Sequence, residues 1–159
     1  MIIGAIFVSI LGTLLHFVYE WSGNNIIVGL FSPINESTWE HTKLVFFPML
    51  LYTAYLNKKL GKEFPCVRLS MIFGEILGVI LIIALFYTYS GIIGYHISFV
   101  DISIFYISVI SSFYIAYKST MSCYAKKFGT LLKILQVTLI CMYIVFTFLP
   151  PDIPLFINP

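Results

Sequence analysis

Residues 35–43 read Asn35-Glu36-Ser37-Thr38-Trp39-Glu40-His41-Thr42-Lys43, and the chain runs directly on into the apolar Leu44-Val45-Phe46-Phe47. This stretch places two carboxylates, an imidazole and an ammonium within nine residues. The whole chain is 60% hydrophobic and only 10% charged, so ionisable groups are scarce elsewhere. Ionisable residues at the edge of a membrane helix commonly mark a functional site. The stretch therefore predicts the polar start of a membrane helix and a site beside it.

The composition excludes an ordinary soluble domain. Soluble domains are about half apolar, with about a quarter of their residues charged. This chain of 159 residues has 10% charged residues and a mean hydropathy of +0.98. Its apolar stretches are long enough and poor enough in charge to cross a bilayer. We therefore expect an integral membrane protein with no room for a separate soluble domain.

Five apolar stretches predict a single all-α domain, residues 1–159, built as an integral membrane bundle of five transmembrane helices. Their approximate bounds are residues 2–19, 37–56, 69–89, 101–117 and 128–149. The apolar connections 24–34 and 90–100 predict loops at the membrane interface, and the proline-rich tail 150–159 predicts a surface segment. Gly74 and Gly78 form a pair of small residues four apart, which predicts the close approach of another helix.

The placement of charge predicts the orientation of the bundle. Eight of the nine lysines and arginines lie in or beside the connections that follow the second and fourth spans, which share one side. By the positive-inside rule that side is cytoplasmic, so the N-terminus lies inside and the C-terminus outside. All three histidines, both tryptophans and five of the seven acids fall at the outer end. Cys66 and Cys123 then face the reducing cytoplasm, where we expect free thiols.

The polar residues of the outer end form a candidate site. Imidazoles and carboxylates are the ligands that zinc and similar divalent ions prefer, so a divalent metal is the expected cofactor. The candidate metal ligands are His16, His41, Glu40 and His96. The candidate catalytic residues are Glu40, Glu36 and His41. The neighbouring polar and aromatic residues are candidates for ligand binding, namely Glu20, Trp21, Asn24, Asn25, Asn35, Trp39, Lys43 and Asp101.

Three interpretations of this cluster stay open. In the first it is a structural network, with Glu40 paired to Lys43 and His16 to Glu36. In the second it is a metal centre, although the chain lacks the His-Glu-x-x-His motif of metallopeptidases. In the third it is a metal-free pocket, with Glu40 or Glu36 as base and His41 as its partner. Apolar loops above the cluster favour a lipid-like or apolar peptide ligand, and nothing indicates nucleic acid.

These interpretations lead to different functions. A metal centre favours a hydrolase or transferase that acts on a lipid or peptide. The alternatives are a non-catalytic module that binds or transports a cation or small ligand, and a structural subunit. Such a subunit would form a homo-oligomer or join a partner membrane protein through Gly74 and Gly78. Separately, Glu75 and Lys133 lie at similar depth in their spans, which predicts an ion pair, with a proton path as the alternative.

Three stretches together resemble a known family: residues 12–23 (GTLLHFVYEWSG), 35–44 (NESTWEHTKL) and 148–156 (FLPPDIPLF). The family consists of small bacterial membrane proteins and is catalogued only as a domain of unknown function. The resemblance extends over essentially the whole chain. It implies a bacterial cytoplasmic membrane and five spans, and it brings no activity. Members of the family continue beyond the position of Pro159, so the resemblance implies a truncated or divergent end here.

Overall fold

The computed structural model describes residues 1–159, and all regular elements are helices, as predicted. The α-helices are α1 (Ile2–Trp21), α2 (Ile26–Gly29), α3 (Thr38–Leu60), α4 (Val67–Ile93), α5 (Ser98–Ser122) and α6 (Gly129–Phe148). Two short 3-10 helices accompany them, Tyr124–Phe128 before α6 and Pro154–Phe156 in the tail.

Four helices are long and apolar enough to cross a membrane: Ile2–Trp21, Val67–Ile93, Ser98–Ser122 and Tyr124–Phe148. Large apolar side chains such as Ile2, Ile80 and Ile110 are exposed on these helices, as expected of surfaces that face lipid. The predicted second span corresponds to α3, which is not among the four. Polar and charged residues at both ends of α3, such as Glu40 near its start and Lys59 near its end, lower its mean hydropathy.

Helix α3 lies at the centre of the bundle, and residues 42–49 are all buried. On one side, Val45 and Met49 join a core with Val8 of α1, Met71 of α4 and Val109 of α5. On the other side, Trp39, Phe46 and Phe47 pack with Val79 of α4 and Tyr143 of α6. Because protein surrounds its first half, α3 can carry polar residues that a helix in contact with lipid could not.

The glycines of α4 allow α5 to approach closely, as predicted. A Cβ atom at Gly74 would lie 2.5 Å from the carbonyl oxygen of Ser112, and one at Gly78 would lie 2.5 Å from the hydroxyl oxygen of Ser112. The surface is therefore filled by α5 of the same chain. The hypothesis that Gly74 and Gly78 contact a partner subunit was wrong, because the pairing of α4 with α5 covers them.

Two connections are more helical than the sequence indicated. The predicted loop 24–34 contains α2, whose first turn is capped by the side chain of Asn25. The predicted loop 90–100 shortens to residues 94–97, with Gly94 in the left-handed region at φ 90°. Tyr89 stabilises this short turn, because its hydroxyl accepts the Ile97 N–H and donates to Asp101.

Cys66 and Cys123 form a disulfide, with their Cα atoms 5.4 Å apart. The prediction of free thiols at these positions was wrong. Helices α4 and α5 run antiparallel, so the start of α4 and the end of α5 meet, together with the two basic connections beside them. That meeting depends on which helices pair, which the spacing of the cysteines does not reveal. Cys141 is a free cysteine.

Candidate functional site

A cavity of about 640 Å³ lies between α1, α3, α4 and α5, at the end of the bundle where α1 ends and α3 begins. One part of its wall is polar and carries His16, Glu36, Thr38, His41, His96 and Asp101. The other part is apolar and carries Leu44, Ile82, Phe86, Ile104 and Phe105. The cavity therefore offers both a polar wall and an apolar wall to one molecule.

Three of the predicted site residues converge at the polar part of the wall. His16, Glu36 and His41 each offer one ligand atom, and these atoms all lie within 4.8 Å of one another. The Nε2 atom of His41 is 3.3 Å from Glu36 Oε2, and the Nε2 atom of His16 is 4.0 Å from Glu36 Oε1. Ligand atoms around a tetrahedral zinc ion are about 3.3 Å apart, given Zn–N lengths near 2.05 Å. Small movements of these three side chains would bring their ligand atoms to the distances that one zinc ion requires.

The backbone fixes the orientation and tautomer of His41. Its Nδ1 atom lies 3.0 Å from the carbonyl oxygen of Ser37, which can only accept, so Nδ1 carries a proton. In the neutral imidazole, Nε2 then holds a lone pair and points at the Glu36 carboxylate. Two acceptors 3.3 Å apart repel each other unless a cation, either a proton or a metal ion, lies between them. A histidine that donates its other N–H to a backbone carbonyl is also the usual arrangement of a metal ligand.

The other two members differ in their surroundings. The hydrogen bond from His41 holds the pKa of the Glu36 carboxyl below its ordinary value, and it outweighs the opposing effect of partial burial. The Glu36 side chain remains 66% exposed, so it is free to move toward an ion. The Nδ1 atom of His16 is buried without a hydrogen-bond partner, and the ring packs 5.2 Å from the ring of His41.

A second polar pair also lines this cavity. His96 Nδ1 lies 3.2 Å from Asp101 Oδ2, and the hydroxyl of Tyr89 donates to Asp101 Oδ1. Asp101 therefore directs the remaining nitrogen of His96, Nε2, away from itself. The structure places His96 in the same cavity as the cluster of His16, Glu36 and His41 but outside that cluster.

Glu40 and Lys43 belong to a separate, fully covered network. The Lys43 ammonium donates to Glu40 Oε2 at 2.6 Å, to the Gly29 carbonyl at 2.9 Å and to Thr147 Oγ1 at 2.7 Å. Glu40 Oε2 also accepts the N–H of Ile34 at 3.0 Å. Neither residue lines the cavity. The predicted pairing of Glu40 with Lys43 is confirmed, and the structure does not bring Glu40 to the two histidines.

The remaining candidates lie away from the cavity. Trp39 is buried against Tyr143, Phe146 and Phe156, so it is a core residue and does not line the cavity. The side chains of Asn25 and Asn35 accept backbone N–H groups of Ile27 and Ser37. The exposed residues Glu20, Trp21 and Asn24 do not line the cavity.

Several residues of the site carry no sequence signal. The apolar wall comes from three helices far apart in the chain, and its residues look like ordinary core residues. Tyr89 is twelve residues before Asp101, and only the turn 94–97 brings its hydroxyl to that carboxylate. Thr147 and the Gly29 carbonyl meet Lys43 through the packing of α6 and α2 against α3.

Comparison with known proteins gives a family. A search of curated proteins and a search of solved structures each found no match. A family model described as a family of unknown function, DUF6512, matches residues 1–159. The resemblance noted in the three stretches of sequence thus extends over the full chain. With its helical bundle and its cavity, the chain belongs to the DUF6512 family of unknown function.

Proposed function

We propose that this chain binds a divalent metal ion, such as zinc, through His16, Glu36 and His41, and uses it to hydrolyse or transfer part of an amphiphilic substrate. One observation carries the proposal: the Nε2 atom of His41 faces the Glu36 carboxylate at 3.3 Å, with a second imidazole beside them. A proton can join only two of these ligand atoms, whereas one metal ion between them would satisfy all three at once. Two histidines and one carboxylate are also a ligand set that catalytic zinc sites use.

The size of the ligand set supports catalysis. Structural zinc sites use four protein ligands, whereas catalytic sites use three and leave a position open for water or substrate. A bound metal would lower the pKa of its water and polarise the bond to be broken. His96 lines the same cavity, and Asp101 directs its ring. In the proposed hydrolysis, water oxygen bonds to the acyl or phosphoryl centre, the headgroup bond breaks, and His96 passes the water proton to the leaving oxygen.

The shape of the cavity supports an amphiphilic substrate. Leu44, Phe86 and Ile104 line the same cavity as the polar residues, so an acyl chain or apolar side chain would pack against them while a polar group meets the metal. Thr13, Phe17 and Tyr106 on the lipid-facing helices α1 and α5 also line the cavity. A lipid or an apolar peptide could therefore enter from the bilayer.

We also propose that α3 is a fifth membrane-spanning helix. It has 23 residues and is about 34 Å long at 1.5 Å per residue, which exceeds a hydrocarbon core of about 30 Å. Other helices cover its polar half, so the polar residues of α3 need not contact lipid. The basic residues favour an orientation with the N-terminus inside, so the metal site would lie near the outer leaflet of a bacterial cytoplasmic membrane.

Metal content tests the site directly. The detergent-purified protein is loaded with zinc, desalted and analysed by plasma mass spectrometry, alongside His16→Ala, Glu36→Gln and His41→Ala. We expect about one ion per chain in the native protein and loss of the ion in all three variants. His96→Ala is the matched control, since it removes an imidazole of the same cavity outside the cluster, and it should retain the metal. Absence of metal after loading, or equal retention in all variants, would overturn the site.

Turnover separates an enzyme from a binding module. Zinc-loaded and chelator-stripped protein are incubated with bacterial lipids and apolar peptides, and the products are identified by mass spectrometry. We expect cleavage that requires metal and that Glu36→Gln abolishes. A protein that binds zinc stoichiometrically and cleaves nothing would contradict the catalytic part and leave a non-catalytic cation module.

A further inference from the structure

Glu75 lies in the interior of the bundle between two apolar clusters. It shares a face of α4 with Ile72 and Val79, which are three residues before it and four after it. Ile72 packs with Leu132 of α6, and Val79 packs with Phe46 and Tyr143. The Glu75 side chain is fully buried, with 0% exposure. This carboxyl group does not line the cavity of the metal site and has no part in the proposed metal chemistry.

No cation balances Glu75. The amide Nε2 of Gln136 donates to Glu75 Oε2 at 2.9 Å, while Oε1 has no hydrogen-bond partner. Lys133, the partner predicted from the sequence, is exposed and forms no ion pair with Glu75. An ionised carboxylate in such surroundings is very costly, and a buried carboxyl group avoids the cost by binding a proton.

The neighbouring elements offer few groups that could take the place of a cation. Helix α6 presents Tyr143, seven residues from Gln136 and therefore on the same face, with its hydroxyl bonded to Thr42. Helix α5 presents the hydroxyls of Ser108 and Ser112 toward α4. The charged residues of the other packed elements are engaged or exposed: Glu40 and Lys43 with each other in α3, and Lys126 and Lys127 exposed in the 3-10 helix.

A second cavity connects this region with the basic end of the bundle. It has a volume of about 240 Å³, enough for several water molecules, and its wall includes Asn57, Arg68, Thr53 and Gln136. Asn57 and Arg68 are exposed at the end of α3 and the start of α4. Thr53 is buried, and its hydroxyl oxygen has no partner. Water in this cavity would reach Gln136, whose amide holds Glu75.

We propose that Glu75 is a proton-binding site inside the membrane, and that its proton exchanges with the basic face through the cavity of Thr53 and Gln136. In the proposed state Glu75 is a neutral carboxylic acid, and Gln136 positions it by hydrogen bonding. The site is independent of the metal site, since no residue is shared. Three observations support it together: full burial without a counter-charge, an unpartnered carboxyl oxygen, and a polar cavity that ends at the hydrogen-bond partner of Glu75.

Infrared difference spectroscopy in proteoliposomes tests this proposal. At neutral pH we expect a carbonyl stretching band of a protonated carboxylic acid that shifts when H₂O is exchanged for D₂O. The band should be lost in Glu75→Gln and kept in Glu63→Gln, a matched control in the exposed basic loop. Ala54 also lines this cavity, and Ala54→Trp, which places a large side chain there, should slow the D₂O shift without removing the band. A spectrum unchanged by Glu75→Gln would overturn the site, and a band that never shifts would overturn the exchange path.

A second measurement keeps the proposal testable if Glu75→Gln does not fold. An apolar carbodiimide adds to protonated carboxyl groups in apolar surroundings, and the adduct is located by mass spectrometry of the native protein. We expect an adduct on Glu75 at neutral pH that decreases as the pH is raised. Equal labelling of Glu75 at all pH values, or no labelling at all, would contradict the proposal.

Discussion

Lys43 is the most tightly held charge in the molecule. Its ammonium group has three N–H donors, and each has an acceptor in Glu40, Gly29 or Thr147. These acceptors belong to α3, α2 and α6, so the Lys43 side chain links three helices through hydrogen bonds. A buried ion pair adds little stability compared with an apolar pair, but the loss of one partner leaves the other charge buried and unpaired.

We therefore predict that Lys43→Met destabilises the bundle by about 3–5 kcal/mol, because Glu40 loses its counter-ion. The double variant Glu40→Gln/Lys43→Met should be less destabilised than Lys43→Met, since it leaves no buried charge. Denaturant unfolding in detergent micelles, followed by circular dichroism, measures both. A double variant that is less stable than Lys43→Met would show that the two residues do not act as a pair.

A contact between two residues of one helix can be predicted from their spacing, whereas the neighbouring elements that cover them cannot. Glu40 and Lys43 are three residues apart on a helix, so their contact could be predicted from spacing alone. The separation of Glu40 from His41 could not, although they are adjacent, because it depends on which neighbour covers each face of α3. For the same reason Glu36, in the loop before α3, reaches both histidines while Glu40 reaches neither.

At the scale of elements, α3 shows that a helix with polar and charged residues can lie inside an apolar bundle when neighbouring helices cover those residues. Its first half would be unfavourable in lipid, and the other helices replace the lipid there. The long apolar stretches of the remaining helices were sufficient to predict them, because a helix that crosses a membrane needs about 20 consecutive apolar residues. The ends of α4 and α5 were predicted less well, since the contact of Tyr89 with Asp101 and Ile97 shortens their connection.

The close contact between α4 and α5 predicts how one added methyl group at Gly74 changes the stability of the protein. Gly74→Ala should destabilise the protein by about 1–3 kcal/mol, because the new Cβ would lie 2.5 Å from a backbone oxygen of α5. Gly91→Ala is the control on the same helix, where a Cβ meets nothing within 4 Å. It should be neutral or slightly stabilising, since alanine favours the helix. Thermal unfolding in the same detergent compares them, and equal effects would contradict close packing at Gly74.

At the scale of the whole molecule, two features disagree about orientation. The basic residues place the end that carries Lys62 and Arg68 in the cytoplasm. The disulfide between Cys66 and Cys123 lies at this same end, whereas stable disulfides belong to oxidising compartments. The charge pattern and the disulfide therefore assign this end of the bundle to opposite compartments.

We predict the orientation given by the charges, and single cysteines test it. Lys62→Cys and Tyr95→Cys, at opposite ends of α4, are introduced separately after replacement of the three native cysteines by serine. A membrane-impermeant maleimide should label only Tyr95→Cys in intact cells and both variants after permeabilisation. Labelling of Lys62→Cys alone in intact cells would invert the molecule and place the disulfide in the oxidising compartment.

When the disulfide is formed, α4, the turn 94–97 and α5 become a closed covalent ring. A force that pulls the two termini apart would then pass from Cys66 to Cys123 through the sulfur atoms. The intervening segment, with a sequence separation of 57, would bear no tension. Roughly 200 Å of extended chain length would therefore become available to stretching only after the disulfide is reduced. Helices α1, α3 and α6 would be extended one after another, while the hairpin of α4 and α5, which holds Glu75 and His96, would keep its length.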